Sequence, residues 1–331
     1  MNRIRIAQIG TSQYSHGNMI WTSLKKQSDI FELVGYAMPE NEETKFPNAM
    51  REFEGYPKMT VDEILKDPTI TAVAIETEEI YLSKYTLPAA KANKHIHMEK
   101  PGGTEPSDFE ELIRTVKKTG KVFHTGYMYR YNPYILDLLD RIKAGELGRI
   151  LNVEAQMNCY HTPEVRQWLK QFPGGMMFFL GCHLVDLILQ IQGQPKRIIP
   201  LNKSTNCDTE AEDFGMAVFE YENGISFAKT SALEIGGYAR RQLVVVGTNG
   251  TVELKPLEIS APGVGLCTKK TEYWEKSWGC TGEHSQTEFD RYDGMMAGFA
   301  SYIRGERENP YTPDYELELY RTIRKACGES L

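Results

Sequence analysis

The sequence predicts an α/β protein of two domains: a first with a parallel sheet, and a second with a large, mostly antiparallel open sheet and helices on one face. Three observations carry this prediction. Residues 1–124 alternate strand-like and helix-like segments, and later alternating runs are joined by Asn-Gly pairs. The chain of 331 residues is also long enough for two domains of about 100–200 residues each.

In order, RIRIAQIG (3–10) is an apolar strand, and residues 17–28 can form a helix. IFELVGYAM (30–38) reads as the second strand. TVDEILKDP (60–68) is a helix opened by Thr60, with Glu63 three residues on, the spacing at which hydroxyl and carboxylate cap each other's backbone N–H groups. TAVAIET (71–77) is a short strand of buried type, YLSKYTLPAAKAN (81–93) a helix, and HIHMEKP (95–101) a strand ending in proline. PSDFEELIRTVKKTG (106–120) is a helix with a glycine stop, and VFHTGYMYR (122–130) is the next strand.

Beyond residue 125 the pattern changes, so the boundary is placed there: domain one at 1–124, domain two at 125–331. A helix over 133–144 precedes the strand GRILNVEAQMNCY (148–160), and a helix over 180–192 carries GCHLVDLILQIQG. FGMAVFEYENG, ISFAKTSALEI, RRQLVVVGTNG and TVELKP are strands, paired as hairpins at Asn223-Gly224 and Asn249-Gly250, because both residue types tolerate positive φ. The segments 289–306 and 314–328 are helical.

A net charge of -7 without a basic stripe argues against nucleic acid as a partner. No stretch approaches the roughly 20 apolar residues that cross a bilayer, and MNRIRIAQIG runs straight into a strand without a secretory core, so the expected location is the cytoplasm. The six cysteines, at 159, 182, 207, 267, 280 and 327, have no zinc-like spacing, and no metal site is expected.

The chemistry begins at IAQIGTSQYSHGNMI (6–20), which looks like the strand, turn and helix start of a dinucleotide-binding unit. Gly10 supplies the tight turn; Ser12 stands where the close-approach glycine usually is, and Gln13 and Tyr14 follow in the loop. At the end of the second strand, where a carboxylate would hold the ribose of NAD, stands Met38, with Glu40 two residues on. This substitution permits NADP without indicating it. The carboxylates of Glu76, Glu78 and Glu79 would repel a pyrophosphate unless turned away or met by a cation, and a solvated acidic turn is expected for Glu78 and Glu79.

HIHMEKPGG (95–103) resembles the Glu-Lys-Pro motif of the Gfo/Idh/MocA family of NAD(P)-dependent oxidoreductases, here Glu99, Lys100 and Pro101. The segments 126–134, 173–188, 212–224 and 244–254 resemble that family's interdomain segment, Gly-rich active-site helix and sheet, so the resemblance covers nearly the whole chain.

The resemblance implies an N-terminal Rossmann domain binding NAD or NADP and a C-terminal α/β domain for substrate and oligomerisation. It implies a hydride moved between nicotinamide and a carbinol carbon of a sugar, cyclitol or related polyol. Gly10, Ser12, Gln13, Tyr14, Met38, Thr77, Glu99 and Lys100 would contact the cofactor, and Lys100 with His183 would carry catalysis. Phe179 replaces the Asp that family members carry four residues before the histidine. Tyr127, Tyr129, Arg130, His161 and Trp168 are candidates for the substrate side, and Asp186 could orient His183. A homo-oligomer, dimer or tetramer, would cover the open sheet. Two rival readings are a catalytically degenerate ligand-binding or regulatory protein on the same fold, and an enzyme that keeps NAD tightly bound for transient oxidation.

Overall fold

The computed structural model describes residues 2–12, 14–205, 208–261 and 265–330. The chain divides into two compact units, residues 1–128 with 291–320, and residues 129–290 with 321–331. The sequence placed everything beyond 124 in the second domain; the segment 291–320 instead groups with the first unit, where the side chain of Lys26 reaches Asp293.

The first unit is built on a parallel sheet of β1 (Ile4–Ile9), β2 (Phe31–Ala37), β3 (Ala72–Ile75), β4 (His95–Met98) and β5 (Phe123–Thr125), ordered β2-β1-β3-β4-β5. An isolated parallel bridge from Tyr36 to Lys58 extends the β2 edge by what would be one more strand. The order reverses between β1 and β3, and the carboxyl ends of such strands frame the crevice where α/β sheets take ligands. Helices α1 (Gly17–Lys26), α2 (Glu42–Lys45), α3 (Val61–Lys66), α4 (Leu82–Lys91) and α5 (Pro106–Thr119) connect the strands.

Local chemistry sets several ends. Thr60 and Glu63 form the reciprocal capping box at α3, and Gly120 closes α5 in the left-handed conformation. Trp21 of α1 packs with Tyr36 and Phe53 in an aromatic cluster, its indole N–H donating to Glu52 O at 2.8 Å, so its polar tip is satisfied while the ring is buried. The expected strand over 122–130 is shorter than predicted: β5 stops at Thr125 and residues 128–131 form a single helical turn.

In the second unit, α6 (Pro133–Lys143) is capped by the Asn132 side chain. The strand β6 (Ile150–Asn158) and the helices α7 (Pro163–Trp168) and α8 (Cys182–Gln192) follow. The remaining strands are β7 (Arg197–Pro200), β8 (Phe214–Tyr221), β9 (Gly224–Ser231), β10 (Gln242–Gly247), β11 (Thr251–Leu254), β12 (Ile259–Ala261), β13 (Gly265–Tyr273) and β14 (Glu283–Glu288). They join β6 in one mixed sheet, ordered β12-β13-β11-β10-β6-β9-β8-β7, with β14 on β13. Both Asn-Gly hairpins form, pairing Tyr221 with Gly224 and Val246 with Thr251, while β6 and β9 run parallel. Helices α9 (Asp293–Ile303) and α10 (Pro313–Ala326) complete the chain.

Candidate active site

At the end of β1 the chain turns on Gly10, whose φ is +87°. A Cβ there would stand 2.5 Å from Thr77 Cγ2, so both the backbone angle and the close approach require glycine. The loop is held by its own N–H groups: Gly10 donates to Ala37 O at 2.8 Å, Thr11 to Glu42 Oε2 at 2.9 Å, and Ser12 to Glu76 O at 3.0 Å. Ser12 is buried, and its hydroxyl accepts from Tyr14 N–H at 3.3 Å. Gln13 lies outside the described residues.

Helix α1 then begins with no side-chain cap and no acidic residue in its first turn, which leaves its positive end available to an anion. A cavity of about 490 Å³ opens there, lined by Ser12, Ser15, His16, Asn18, Lys45 and Asn48 among others. Hydroxyl, amide and ammonium groups around a helix N-terminus fit the diphosphate of a dinucleotide.

Met38 packs against the Trp21, Tyr36 and Phe53 cluster, a core role. The Glu40 carboxylate turns to Lys84 and to the Tyr85 hydroxyl at 2.6 Å. The buried carboxyl at this level of the crevice is Glu42, which burial pushes up to about 8 against the Thr11 N–H that holds it. No sequence signal singled out Glu42, which stands in α2, five residues beyond β2.

The expected solvated acidic turn is not solvated. Glu76 and Glu79 are fully buried and Glu78 nearly so, because the segment after β3 folds into the crevice as a short helical turn over 79–81. Glu78 pairs with Lys45 at 3.0 Å. Burial raises Glu76 well above the carboxylate range and Glu79 to about 8, each opposed by the charge of Lys100. Thr77 is buried between them, its hydroxyl without a protein partner.

Glu99 and Lys100 follow β4 and are also buried, with Lys100 Nζ 3.6 Å from Glu99 Oε1. Burial pushes Glu99 up to about 7 against the pull of Lys100. Lys100 thus stands among three buried carboxyls whose proton affinities reach neutrality or beyond. Tyr127 is buried in this first unit, and its N–H donates to Thr125 O at 2.8 Å.

In the second unit, His183 lies in the first turn of α8, 2% exposed, with the Tyr129 ring edge-on at 5.6 Å. The wider π-turn Met177–Gly181 precedes it, and such turns are frequent at functional sites. Phe179 on that turn packs against Trp168 at 5.1 Å, His161 at 6.3 Å and Phe172 at 6.4 Å between ring centroids. Phe179 is therefore part of an apolar wall, and it brings His161 and Trp168 together. His161 is lowered from its usual range, chiefly by burial and then by the charge of Arg241.

Arg130 is engaged inside the second unit: Nε and Nη2 donate to the two oxygens of Asp186 at 3.0 and 2.8 Å, with both side chains buried. Gln190 donates to the same carboxylate at 2.9 Å. Asp186 thus ties Arg130 to the α8 helix. Among the described residues no cluster of His, Cys, Asp and Glu could hold a metal, and no helix is long and apolar enough to cross a membrane.

The chain is 25% identical over 289 residues to trans-1,2-dihydrobenzene-1,2-diol dehydrogenase of Bos taurus, a match covering 81% of this chain and 80% of that one. It is 23% identical to myo-inositol 2-dehydrogenase of Thermotoga maritima, over 67% of this chain and 68% of the relative. The solved structure of levoglucosan dehydrogenase in complex with NADH and levoglucosan superposes with a TM-score of 0.80 at 15% identity, covering 99% of this chain and 98% of that one. Residues 4–127 match the oxidoreductase family model with an NAD-binding Rossmann fold, and residues 135–253 match the GFO/IDH/MocA C-terminal domain. The chain belongs to the Gfo/Idh/MocA family of oxidoreductases.

Proposed function

We propose that the chain is an NAD(P)-dependent dehydrogenase moving a hydride between the nicotinamide and a carbinol carbon of a sugar, cyclitol or related polyol. The observation that carries this reading is Lys100, buried 3.6 Å from Glu99 among carboxyls that gain or lose protons near neutral pH. Bound NAD(P) supplies the hydride acceptor. The remaining work is done by this chain: Gly10, Ser12, Tyr14, Thr77 and the open end of α1 hold the dinucleotide. When a carbinol is oxidised, its hydroxyl proton must leave as the C–H bond gives up its electron pair. The Lys100 ammonium passes a proton to the adjacent Glu99 carboxylate and the amine so formed takes the hydroxyl proton, an arrangement of general acid–base type. His183 is the second candidate for the proton, and Tyr129, His161 and Trp168 contact the polyol. The same reading carries a cytoplasmic homo-oligomer.

Support comes from family membership and from relatives named as diol and inositol dehydrogenases. One feature favours the rival, a ligand-binding protein without turnover: by the family resemblance, Phe179 stands where an aspartate would accompany His183. Calorimetric titration with NAD(H) and NADP(H), then a polyol screen with Lys100→Ala and His183→Ala controls, separates the two. Micromolar cofactor binding with polyol-dependent reduction supports the dehydrogenase; cofactor binding without turnover of any polyol favours the rival. The absence of binding of either dinucleotide, with none copurified, overturns both the hydride-transfer reading and the cofactor site.

A further inference from the structure

A line of buried side chains crosses the parallel sheet beside the Gly10 loop, and of it only the Glu76 carboxyl, one of the three around Lys100, has entered above. Glu76 follows β3, His97 lies in β4 and His124 in β5. The register pairs Ala74 with His97 and His97 with His124, so the two histidines stand side by side on one face. His97 Nδ1 is 2.7 Å from His124 Nδ1, and His97 Nε2 is 3.2 Å from Glu76 Oε1. Glu76 and His97 are fully buried, and His124 is 2% exposed. Phe299 of α9 lies against both rings, at 6.0 and 5.2 Å between centroids.

These contacts constrain where protons sit. Two Nδ1 atoms at 2.7 Å share one proton, since two lone pairs or two N–H groups facing each other would repel. Both Glu76 oxygens are buried without a donor, and so is His97 Nε2 as long as neither atom carries a proton for the other. A carboxylate buried without donors is costly, whereas a carboxylic acid donating to His97 Nε2 satisfies both groups at once. His97 then carries its proton on Nδ1 and donates to His124, which carries its own on Nε2. The charged groups facing the line are Glu79 and Lys100 at Glu76, and Glu99 at His97; α9 presents Phe299 and the Tyr302 ring.

We propose that Glu76 is a positioning residue of the dinucleotide loop, held as a neutral acid by the His97–His124 pair so that the loop presents no negative charge to an anionic cofactor. Its backbone carbonyl already fixes Ser12 N–H at 3.0 Å, and its Cβ lies 3.1 Å from where a side chain on Gly17 would begin. The end of β3 is thereby compatible with a diphosphate despite its acidic sequence. This consequence for affinity rests on the dinucleotide reading; the placement of the protons does not.

The test is the nitrogen-15 spectrum of the histidine rings in the cofactor-free, full-length protein at neutral pH, assigned with His97→Gln and His124→Gln. The expected result is a neutral His97 protonated on Nδ1 alone and a His124 protonated on Nε2 alone. An infrared carbonyl band of a protonated carboxylic acid should be lost in Glu76→Gln. A doubly protonated His97, or one protonated on Nε2 alone, would mean an ionised Glu76 and overturns the proposal. Glu76→Gln, whose amide donates to the same Nε2, should keep NADH or NADPH affinity within about twofold, a small fraction of the 1.4 kcal/mol that a tenfold change represents. A tenfold or greater change in the folded variant overturns the role in cofactor binding. If the wild type binds neither dinucleotide, the function reading fails while the ring spectrum still decides where the protons sit.

Discussion

Buried carboxyls are handled in opposite ways in the two units. In the second unit each one among the described residues is met by an arginine: Asp186 by Arg130, Asp213 by Arg166, which also pairs with the exposed Asp208, and Glu258 by Arg241. In the first, Glu42, Glu76, Glu79 and Glu99 are buried with raised proton affinities, and Lys100 is the ammonium that opposes the rise in the last three. A bidentate arginine fixes geometry and holds a charge in place, which suits a scaffold. A crowd of carboxyls around one lysine leaves protons free to move, which suits a site that has to accept and release them.

The largest effect should come from breaking a pair in the scaffold. Arg130→Ala leaves Asp186 as a buried, uncompensated charge, and the expected loss is about 3–5 kcal/mol in denaturant unfolding. Replacing both partners by Met and Leu should recover most of it. If Arg130→Ala unfolds like wild type, the contrast between the units is wrong at its structural end.

Lys100→Ala sharpens the other end. Turnover of any polyol substrate should fall by about 10²–10⁴-fold, the usual contribution of a positioned proton-transfer group. Stability should change far less than in Arg130→Ala, because the surrounding carboxyls can take up protons when the ammonium is gone. An equal loss of stability in both variants would make Lys100 one more structural ion.

The two kinds of site also differ in pH response. Glu42 and Glu79, raised to about 8, and Glu99, raised to about 7, bind protons more tightly folded than unfolded. Their contribution to stability is complete below the unfolded value near 4.5 and is lost as pH rises through about 7 to 8. His95 and His97, lowered to about 4 chiefly by burial, act oppositely: their contribution is present above the unfolded value near 6.5 and lost as pH falls toward 4. Three carboxyls outweigh two histidines between about 4.5 and 6.5, so the melting temperature of the first unit should be highest near pH 4.5 and decline from there as pH rises to about 8. Glu79→Gln should flatten the alkaline side alone, and an unchanged alkaline slope would remove Glu79 from the titrating set.

Most of the architecture was legible because it is local. Thr60 with Glu63 and Gly120 announce their elements through backbone chemistry that needs no tertiary context; the two Asn-Gly pairs mark their hairpins, although none of their four residues takes the positive φ expected there. The Glu-Lys-Pro segment was legible as a motif for the same reason. The acidic turn was misread because burial is a tertiary property: three glutamates in four positions look solvated unless it is known that the chain folds back into the crevice. Glu42 and the His97–His124 contact were hidden because their partners lie 27 to 31 residues away on other elements. The Arg130–Asp186 fork was hidden because nothing in the sequence says that Asp186, 56 residues on, will receive the guanidinium.

The Lys45–Glu78 pair lies between the two classes and gives the smallest expected effect. Lys45 is 40% exposed and Glu78 10%, so solvent screens an attraction that the 3.0 Å distance would otherwise make strong. Lys45→Met should cost less than about 1 kcal/mol in unfolding. Lys45 also lines the cavity at the start of α1, where its charge would meet a diphosphate. The same variant should therefore weaken NADH or NADPH binding by several-fold, and more at low salt than at high, since a charge at an open cavity is screened within a Debye length of about 10 Å at 0.1 M salt. A loss of affinity independent of salt would place Lys45 in the structural class, acting through Glu78 and the shape of the loop. A salt-dependent loss without a change in stability would place it with Lys100, among the charges that the first unit keeps for its ligand.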